Sequence, residues 1–476
     1  MWTDSSPCHR RAMLRSTAVG FGHLALASLL ADEATAGAPT ASRPVDPLAP
    51  RPPHFAPRAK RVIFLFMAGG PSHVDTFEYK PRLQRDHGRP YPFARPRVIF
   101  NSTGNLLASP WRFRRHGACG MPVSELFPHV AQCVDDICFI HSIHGTNAAH
   151  GGATLKVHTG SENFIRPSIG SWITYGLGTE NANLPGFVTI CPTLAFGGVT
   201  NWGSAFLPAA YQGTPLGNAA VPAAQARVRY IQNTRLPLEV QRLQLDRLAQ
   251  MNRDHQALAG VEASLEARIN SFELAFRMQR DMPEAENITR ETPATRRLYG
   301  LDDPATANFG RQCLLARRFA ERGVRFIQVT HSDAAVQWDQ HANLRRDHEK
   351  NAREVDLPIA GLLHDLKTRG MLDDTLVWWG SEFGRTPTAE NNDGRDHNPD
   401  GFTMWLAGGG VKPGYRHGAT DDYGWHAERD RVHIHDLHAT ILHLLGLDHE
   451  RLTYRYAGRD FRLTDVHGEV VRAILK

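Results

Sequence analysis

Between Thr375 and Ala407 this chain alternates between segments that must be buried and segments that carry reactive groups. Thr375-Leu376-Val377-Trp378-Trp379 is a short, continuous apolar run. It has no polar face, so it reads as a strand covered on both sides, the kind a parallel sheet requires. It is followed by Gly380-Ser381-Glu382-Phe383-Gly384-Arg385, then by Gly394-Arg395-Asp396-His397 and a second apolar run, Phe402–Ala407. A strand that delivers an acid at its carboxyl end, then a histidine, then another strand, suits a metal-dependent hydrolase. Open α/β sheets bind their ligands at the carboxyl ends of their strands.

Other segments share the strand signature. Arg61-Val62-Ile63-Phe64-Leu65-Phe66 is apolar and breaks at Gly69-Gly70. Ile137–Ile140, Phe187–Ile190 and Val324–Val329 are similar short runs. Helices are expected over 147–159, starting at the ligand-binding edge, over 352–367, and over 436–445, where Asp436 is placed to cap the first turn. From 236 to 281, Leu238, Leu245, Leu248, Met251, Leu258, Val261, Leu265, Ile269, Phe272 and Phe276 recur at helical spacing. That predicts one or two long helices inserted into the core fold. Strands alternating with helices give a three-layer α/β/α sandwich with a mainly parallel sheet. No internal repeat is evident.

The chain has 476 residues, 41% hydrophobic and 22% charged, which is ordinary for a globular protein. A net charge of +5 is small for this length, and several of the arginines fall in the first 61 residues. No basic stripe interleaved with aromatics argues for nucleic acid. His9-Arg10-Arg11-Ala12-Met13-Leu14-Arg15 resembles a twin-arginine export signal, and an apolar stretch from Ala18 to Leu30 precedes small residues at Ala34-Thr35-Ala36. Residues 1–36 therefore read as a cleavable signal, with a periplasmic or extracytoplasmic destination and no stable membrane span after its removal. Residues 37–57, rich in Ala, Pro and Arg, read as a flexible linker, and 58–476 as one domain. Once Cys8 has left with the signal, Cys119, Cys133, Cys138, Cys191 and Cys313 are an odd number, so no disulfide framework is required. The 25 histidines cluster with aspartates, which favours a metal.

Five motifs together resemble the family called domain of unknown function 1501: Gly69–Phe77, Asn147–His150, Trp338–His341, Ser381–Pro387 and His435–Thr440. The resemblance runs from about residue 58 to the end. Thr375–Gly414 also resembles the C-terminal half of the alkaline phosphatase and sulfatase superfamily, of which that family is a branch. The resemblance implies an alkaline phosphatase-like fold, a divalent metal (zinc, manganese or calcium) and an anionic ester as substrate, with sulfated polysaccharide a candidate.

It also directs attention to particular residues. Where the superfamily strand ends in aspartate and histidine, this chain has Glu382, which keeps an oxygen ligand, and Phe383, which cannot bind metal. His397 matches the late superfamily histidine. His73 and Asp75 lie just beyond the superfamily's first metal aspartate, as ligands or as loop capping groups. Asp339 and His341 are either ligands or a structural pair, with His348 as a spare ligand. Arg385 is expected to contact an anionic group or to pair with Glu382. The nucleophile position falls near His150. Thr146 is a nearby hydroxyl, and no serine lies between Asn147 and Gly160. His150 is therefore expected to bind or orient metal, with water activated by the ion as the attacking group. The metal set is thus His73, Asp75, His150, Asp339, His341, Glu382 and His397, with Thr146, His150 and Arg385 in the chemistry. Two readings follow: an exported metal-dependent hydrolase of sulfate or phosphate esters, or a non-catalytic binding protein that keeps the fold.

Overall fold

In the computed structural model, residues 46–94, 103–259, 263–333 and 336–476 are described. The signal-peptide reading and the first part of the expected linker lie outside them. No helix among the described residues is long and apolar enough to cross a membrane.

The apolar runs form the centre of a nine-stranded sheet. Its strands are β1 (Arg61–Met67), β2 (Ile137–His144), β3 (Phe187–Ile190), β4 (Thr214–Leu216), β5 (Phe326–His331), β6 (Thr375–Gly380), β7 (Phe402–Ala407), β8 (Tyr415–His417) and β9 (Val432–His433). The order is β8-β2-β7-β6-β1-β5-β3-β4, with β9 also pairing β2. Only β7 runs antiparallel to its neighbours, β2 and β6. β1 is central and lies parallel to both β5 and β6. Every residue of β5, β6 and β7 is buried, including the polar Gln328, Thr330 and His331 of β5 and Thr403 of β7, as strands covered on both faces require.

Alternate side chains of β1 leave by opposite faces, and this builds the three layers. On one face Phe64 stacks on its register partner Trp378 with ring centroids 3.6 Å apart. Phe66 meets His158 of α1 (His150–Thr159), and Trp378 meets His438 of a C-terminal helix, Ile434–Leu444. On the other face His331, the partner of Met67, meets Phe309 of the helix Ala307–Glu321. That helix packs on the long helix Leu344–Thr368. The α/β/α sandwich with a mainly parallel sheet is thus present.

The expected insertion is two helices, Leu238–Ala259 and Ala263–Glu286. They are tied by Arg242, whose guanidinium donates to both oxygens of Glu273 at 2.8 and 2.7 Å. Two details differ from the sequence reading. The residue capping the C-terminal helix is His433, and Asp436 sits at the third helical position, accepting the His433 N–H to complete a capping box. The part of the expected linker that is described is laid along the domain. Leu48 is buried, and the amides of Arg51 and His54 donate to Leu177 and Gly446. Asp46–Lys476 form one compact unit.

Candidate metal centre

Asp339 is the point on which the site converges. It lies beyond the carboxyl end of β5, on a segment pinned by Trp338. That indole is fully buried, its ring N–H donates to His331, and its backbone amide donates to Ala68. Three imidazoles reach the Asp339 carboxylate through Nε2: His150 at 3.2 Å, His341 at 3.0 Å and His397 at 3.1 Å. They come from three places: the first residue of α1 after β2, the loop after β5, and a short ribbon after β6.

Each ring is held from behind at Nδ1. His150 Nδ1 lies 2.7 Å from Glu382, His341 Nδ1 lies 2.5 Å from Glu390, and His397 Nδ1 lies 2.6 Å from the Ala148 carbonyl. A carboxylate or carbonyl at Nδ1 fixes the proton there and turns the Nε2 lone pair toward the site. His150 Nε2 is buried and has no hydrogen-bond partner, although it faces Asp339. Three imidazole lone pairs aimed at a carboxylate make a donor set that a divalent cation completes. His150, Asp339 and His397 offer ligand atoms within 4.8 Å of one another, and so do His341, Glu390 and Asp396.

The electrostatics follow from this geometry. Burial alone would raise the Asp339 pKa, but the three histidines and Arg385 reverse it and hold the carboxyl far below its ordinary range. Burial works to lower His150, yet Asp339 and Glu382 raise it on balance. His341 is raised, first by its bond to Asp339. His397, more deeply buried, is pushed down to about 4 by desolvation. Burial raises Asp396, and the neighbouring Glu390 adds to it.

Several expected ligands have other roles. Glu382 is fully enclosed. Its oxygens accept the Gly69 N–H at 2.9 and 3.1 Å, face Ser381 Oγ at 2.6 Å and take the His150 ring proton, so it orients a ligand and has no free lone pair toward an ion. Asp75 is fully buried against Arg395 at 2.7 and 3.1 Å and next to Ser72 Oγ. His73 lies 2.8 Å from the Gly424 carbonyl. Neither belongs to the group around Asp339, because the short helix His73–Thr76 turns them into the interior. His348 is also withdrawn: its Nε2 accepts the Ser72 N–H, and burial lowers it to about 3.

Arg385, expected to meet an anionic ester or Glu382, instead clamps Asp339 at 2.6 Å. It also donates to the carbonyls of Gly69, Gly70 and Arg395 and has no exposed surface. Its donors are spent on the protein. Thr146 is exposed, and its hydroxyl donates to Glu162. Phe383, whose ring cannot bind metal, stacks on His397 with centroids 4.3 Å apart. Phe196, from a loop after β3, stacks on the other ring, His150, at 4.9 Å.

Glycines make the convergence possible. At Gly69, with φ +116°, a Cβ would lie 2.7 Å from the Trp338 and Asp339 backbone. The Gly-Gly turn therefore admits the protein's own Asp339 segment. Glu390, which the sequence reading missed, is placed by a tight loop in which Glu390 and Gly394 exchange backbone hydrogen bonds at 2.8 Å. Its signal was faint: an acid opening the turn Asn391-Asn392-Asp393-Gly394.

A mainly parallel α/β/α sandwich, with a histidine-carboxylate cluster at the carboxyl ends of β2, β5 and β6, places this chain among α/β proteins with a candidate metal centre. Within that class it belongs to the family described as Protein of unknown function (DUF1501), whose pattern matches residues 59–475. No curated protein matches the sequence. Among solved structures it is similar to the lipoteichoic acid synthase LtaP from Listeria monocytogenes, at 9% identity over 88% of this chain and 78% of that one, with a TM-score of 0.33. It is also similar to the PsFucS1 sulfatase from Pseudoalteromonas sp., at 12% identity over 83% and 69%, with a TM-score of 0.35. The alkaline phosphatase from the Antarctic bacterium TAB5 has 11% identity over 74% and 92%, with a TM-score of 0.31.

Proposed function

We propose that this protein is an exported, metal-dependent hydrolase of phosphate or sulfate esters. The observation that carries the reading is the approach of three Nε2 atoms to one carboxylate, each ring anchored at Nδ1. His150, Asp339, His341 and His397 would hold the ion, and the nitrogen-rich set suits zinc or manganese better than calcium, which prefers oxygen. A divalent ion supplies Lewis acidity toward an ester oxygen and can lower the pKa of water to about 7. The chain's own residues do the rest. Glu382 and Glu390 fix two ring tautomers, Arg385 holds Asp339 in place, and Phe383 and Phe196 exclude water from the ring faces. Asp339 and His341, with side chains 21% and 29% exposed, form the open side toward substrate.

The binding-protein reading draws support from one feature: the Arg385 guanidinium, the obvious cation for an anionic ester, is fully used inside the protein. One experiment separates the two readings. Purified protein is analysed for zinc and manganese and assayed on aryl phosphate and aryl sulfate. Metal with turnover, both lost in Asp339→Asn, is the expected result. Metal without turnover of either ester would leave the binding role. Export is tested separately: replacing Arg10 and Arg11 with lysine should retain the precursor in the cytoplasm, and unimpaired export would count against a twin-arginine route.

A further inference from the structure

The inserted helix Ala263–Glu286 borders two cavities that the metal centre does not use, of about 630 and 480 Å³. The larger lies between that helix, the loop after β3 and β4, and Leu194, Val199, Trp202, Ala210, Leu274 and Met278 wall it. The smaller lies between the two inserted helices and the segment before them, with Leu245, Leu248, Phe272 and Phe276 in its wall. Val228, Arg229, Ala275 and Met278 border both, so the cavities adjoin. We propose that together they bind one long-chain amphiphile with an anionic head, its chain in the trough and its head at Arg229. Both volumes fall in the range of small-ligand sites, which are mostly apolar with a few placed polar groups.

Three features select that occupant. Leu194, Val199, Leu248 and Phe272 are exposed large apolar side chains, gathered around adjoining hollows instead of scattered. A hydrocarbon chain would take them out of water, with a gain that grows with each methylene. The second feature is charge. Among the described residues Arg229 is the one charged side chain bordering either cavity, and it forms no ion pair with them. A guanidinium without a partner, where two apolar hollows meet, suits a carboxylate or phosphate head, which it can grip through two N–H groups. The third is shape. Ser271 and Leu274 border only the larger cavity, and Phe272, Phe276 and Gln279 only the smaller. At about 3.6 residues per turn the two faces lie roughly a third of a turn apart around the helix. A flexible hydrocarbon chain follows such a bend, whereas a rigid helix or strand of a partner protein does not. Tyr230, with φ +58° and almost fully exposed, stands at the lip beside Arg229. The site stands without the hydrolase reading.

Calorimetric titration of the full chain tests the proposal with dodecanoate, dodecyl phosphate, dodecyltrimethylammonium and butanoate, each below its micelle concentration. Dodecanoate should bind at least about a hundredfold tighter than butanoate, which shares its head and lacks most of its chain. It should bind about tenfold or more tighter than dodecyltrimethylammonium, which pairs a similar chain with a cationic head. Tighter binding of dodecyl phosphate would point to a phosphate head and tighter binding of dodecanoate to a fatty acid; both support an anionic amphiphile. Arg229→Gln should weaken dodecanoate roughly fivefold or more and reduce its advantage over the cation. Ala275→Trp, at an exposed position on the shared wall, should abolish binding without moving the urea midpoint. Asp339→Asn should retain binding, so the loss of metal or turnover leaves the claim intact. Dodecanoate that binds no tighter than butanoate, or than the cation, overturns the proposal, as does affinity unaltered in both Arg229→Gln and Ala275→Trp. A dimer seen by light scattering and dispersed by Phe272→Glu, with no uptake of dodecanoate, also overturns it and gives the trough to a second copy of the chain.

Discussion

Asp339 and the residues behind the three rings carry the chemistry of the site, and they can be separated by substitution. Glu382 is buried and aims at His150 Nδ1. Replacing it with glutamine keeps the shape and removes the charge that holds the ring proton. The expected loss is roughly 10–100-fold in metal affinity, the usual cost of disturbing such a partner. Chelator competition measures it, and an affinity unchanged from wild type would show that Glu382 does not orient a ligand. Thr146 and His150 make a second contrast. Thr146→Ala should keep most of any ester turnover, since its hydroxyl is engaged with Glu162. His150→Ala should lose metal and turnover together. A covalent phosphoryl adduct on Thr146, trapped by quenching and seen by mass spectrometry, would reverse that assignment.

The loop between β6 and β7 is the element that most determines the site, because residues 381–397 supply Glu382, Phe383, Arg385, Glu390, Asp396 and His397. Its closure depends on Gly394, where a Cβ would lie 1.9 Å from the His341 carbonyl oxygen. Backbone cannot yield that distance cheaply, so Gly394→Ala should displace His341 and Glu390 and cost about 3 kcal/mol or more of stability. Gly151, in α1, has nothing within 4 Å of the position a Cβ would take, and Gly151→Ala should be neutral or stabilising by up to about 1 kcal/mol. Urea midpoints of the two variants test both, and equal midpoints would refute the contrast. The sequence showed why this loop matters, since an acid and a histidine flank apolar runs. It also showed the strands, because β1 and β6 bury both faces and are almost wholly apolar, while in β5 Phe326, Ile327 and Val329 carry the signal past the buried polar Gln328, Thr330 and His331. It could not show that Glu382 faces inward or that Arg385 is enclosed. Both outcomes depend on the Gly69-Gly70 turn, distant in sequence, crossing the end of β6. Asp75 and His73 misled for the same reason: Arg395, also far along the chain, draws Asp75 away from the site.

Across the whole molecule, histidine is used as a neutral structural group as often as it is placed near Asp339, and this sets the response to acid. His141, His158, His348 and His438 are fully enclosed. Burial is the first cause of lowering in each, bringing them to about 4, 4, 3 and 3. Their hydrogen bonds show the structural role: His158 and His438 bond to carbonyls of α1, and His348 accepts the Ser72 amide. In the unfolded chain each titrates near 6.5. Above that pH both states are neutral and the groups do not affect stability. Below it the unfolded chain takes up protons that the folded one refuses, so stability falls from about pH 6.5 until the folded values near 4 and 3 are reached. One unit below the unfolded value, each group costs on the order of 1 kcal/mol. Four such groups then remove several kcal/mol from a total of roughly 5–15. Glu78, held down to about 2 with Lys80 and His141 opposing its burial, adds its own loss only further into acid. The protein should therefore unfold between about pH 6 and 4, before most of its carboxylates are protonated. His438→Gln, which keeps a donor for the Val157 carbonyl and removes one titrating group, should lessen the slope of urea stability against pH by up to about 1 kcal/mol per unit. If wild-type stability is level from pH 7 to 5, the buried histidines are not the source of acid sensitivity.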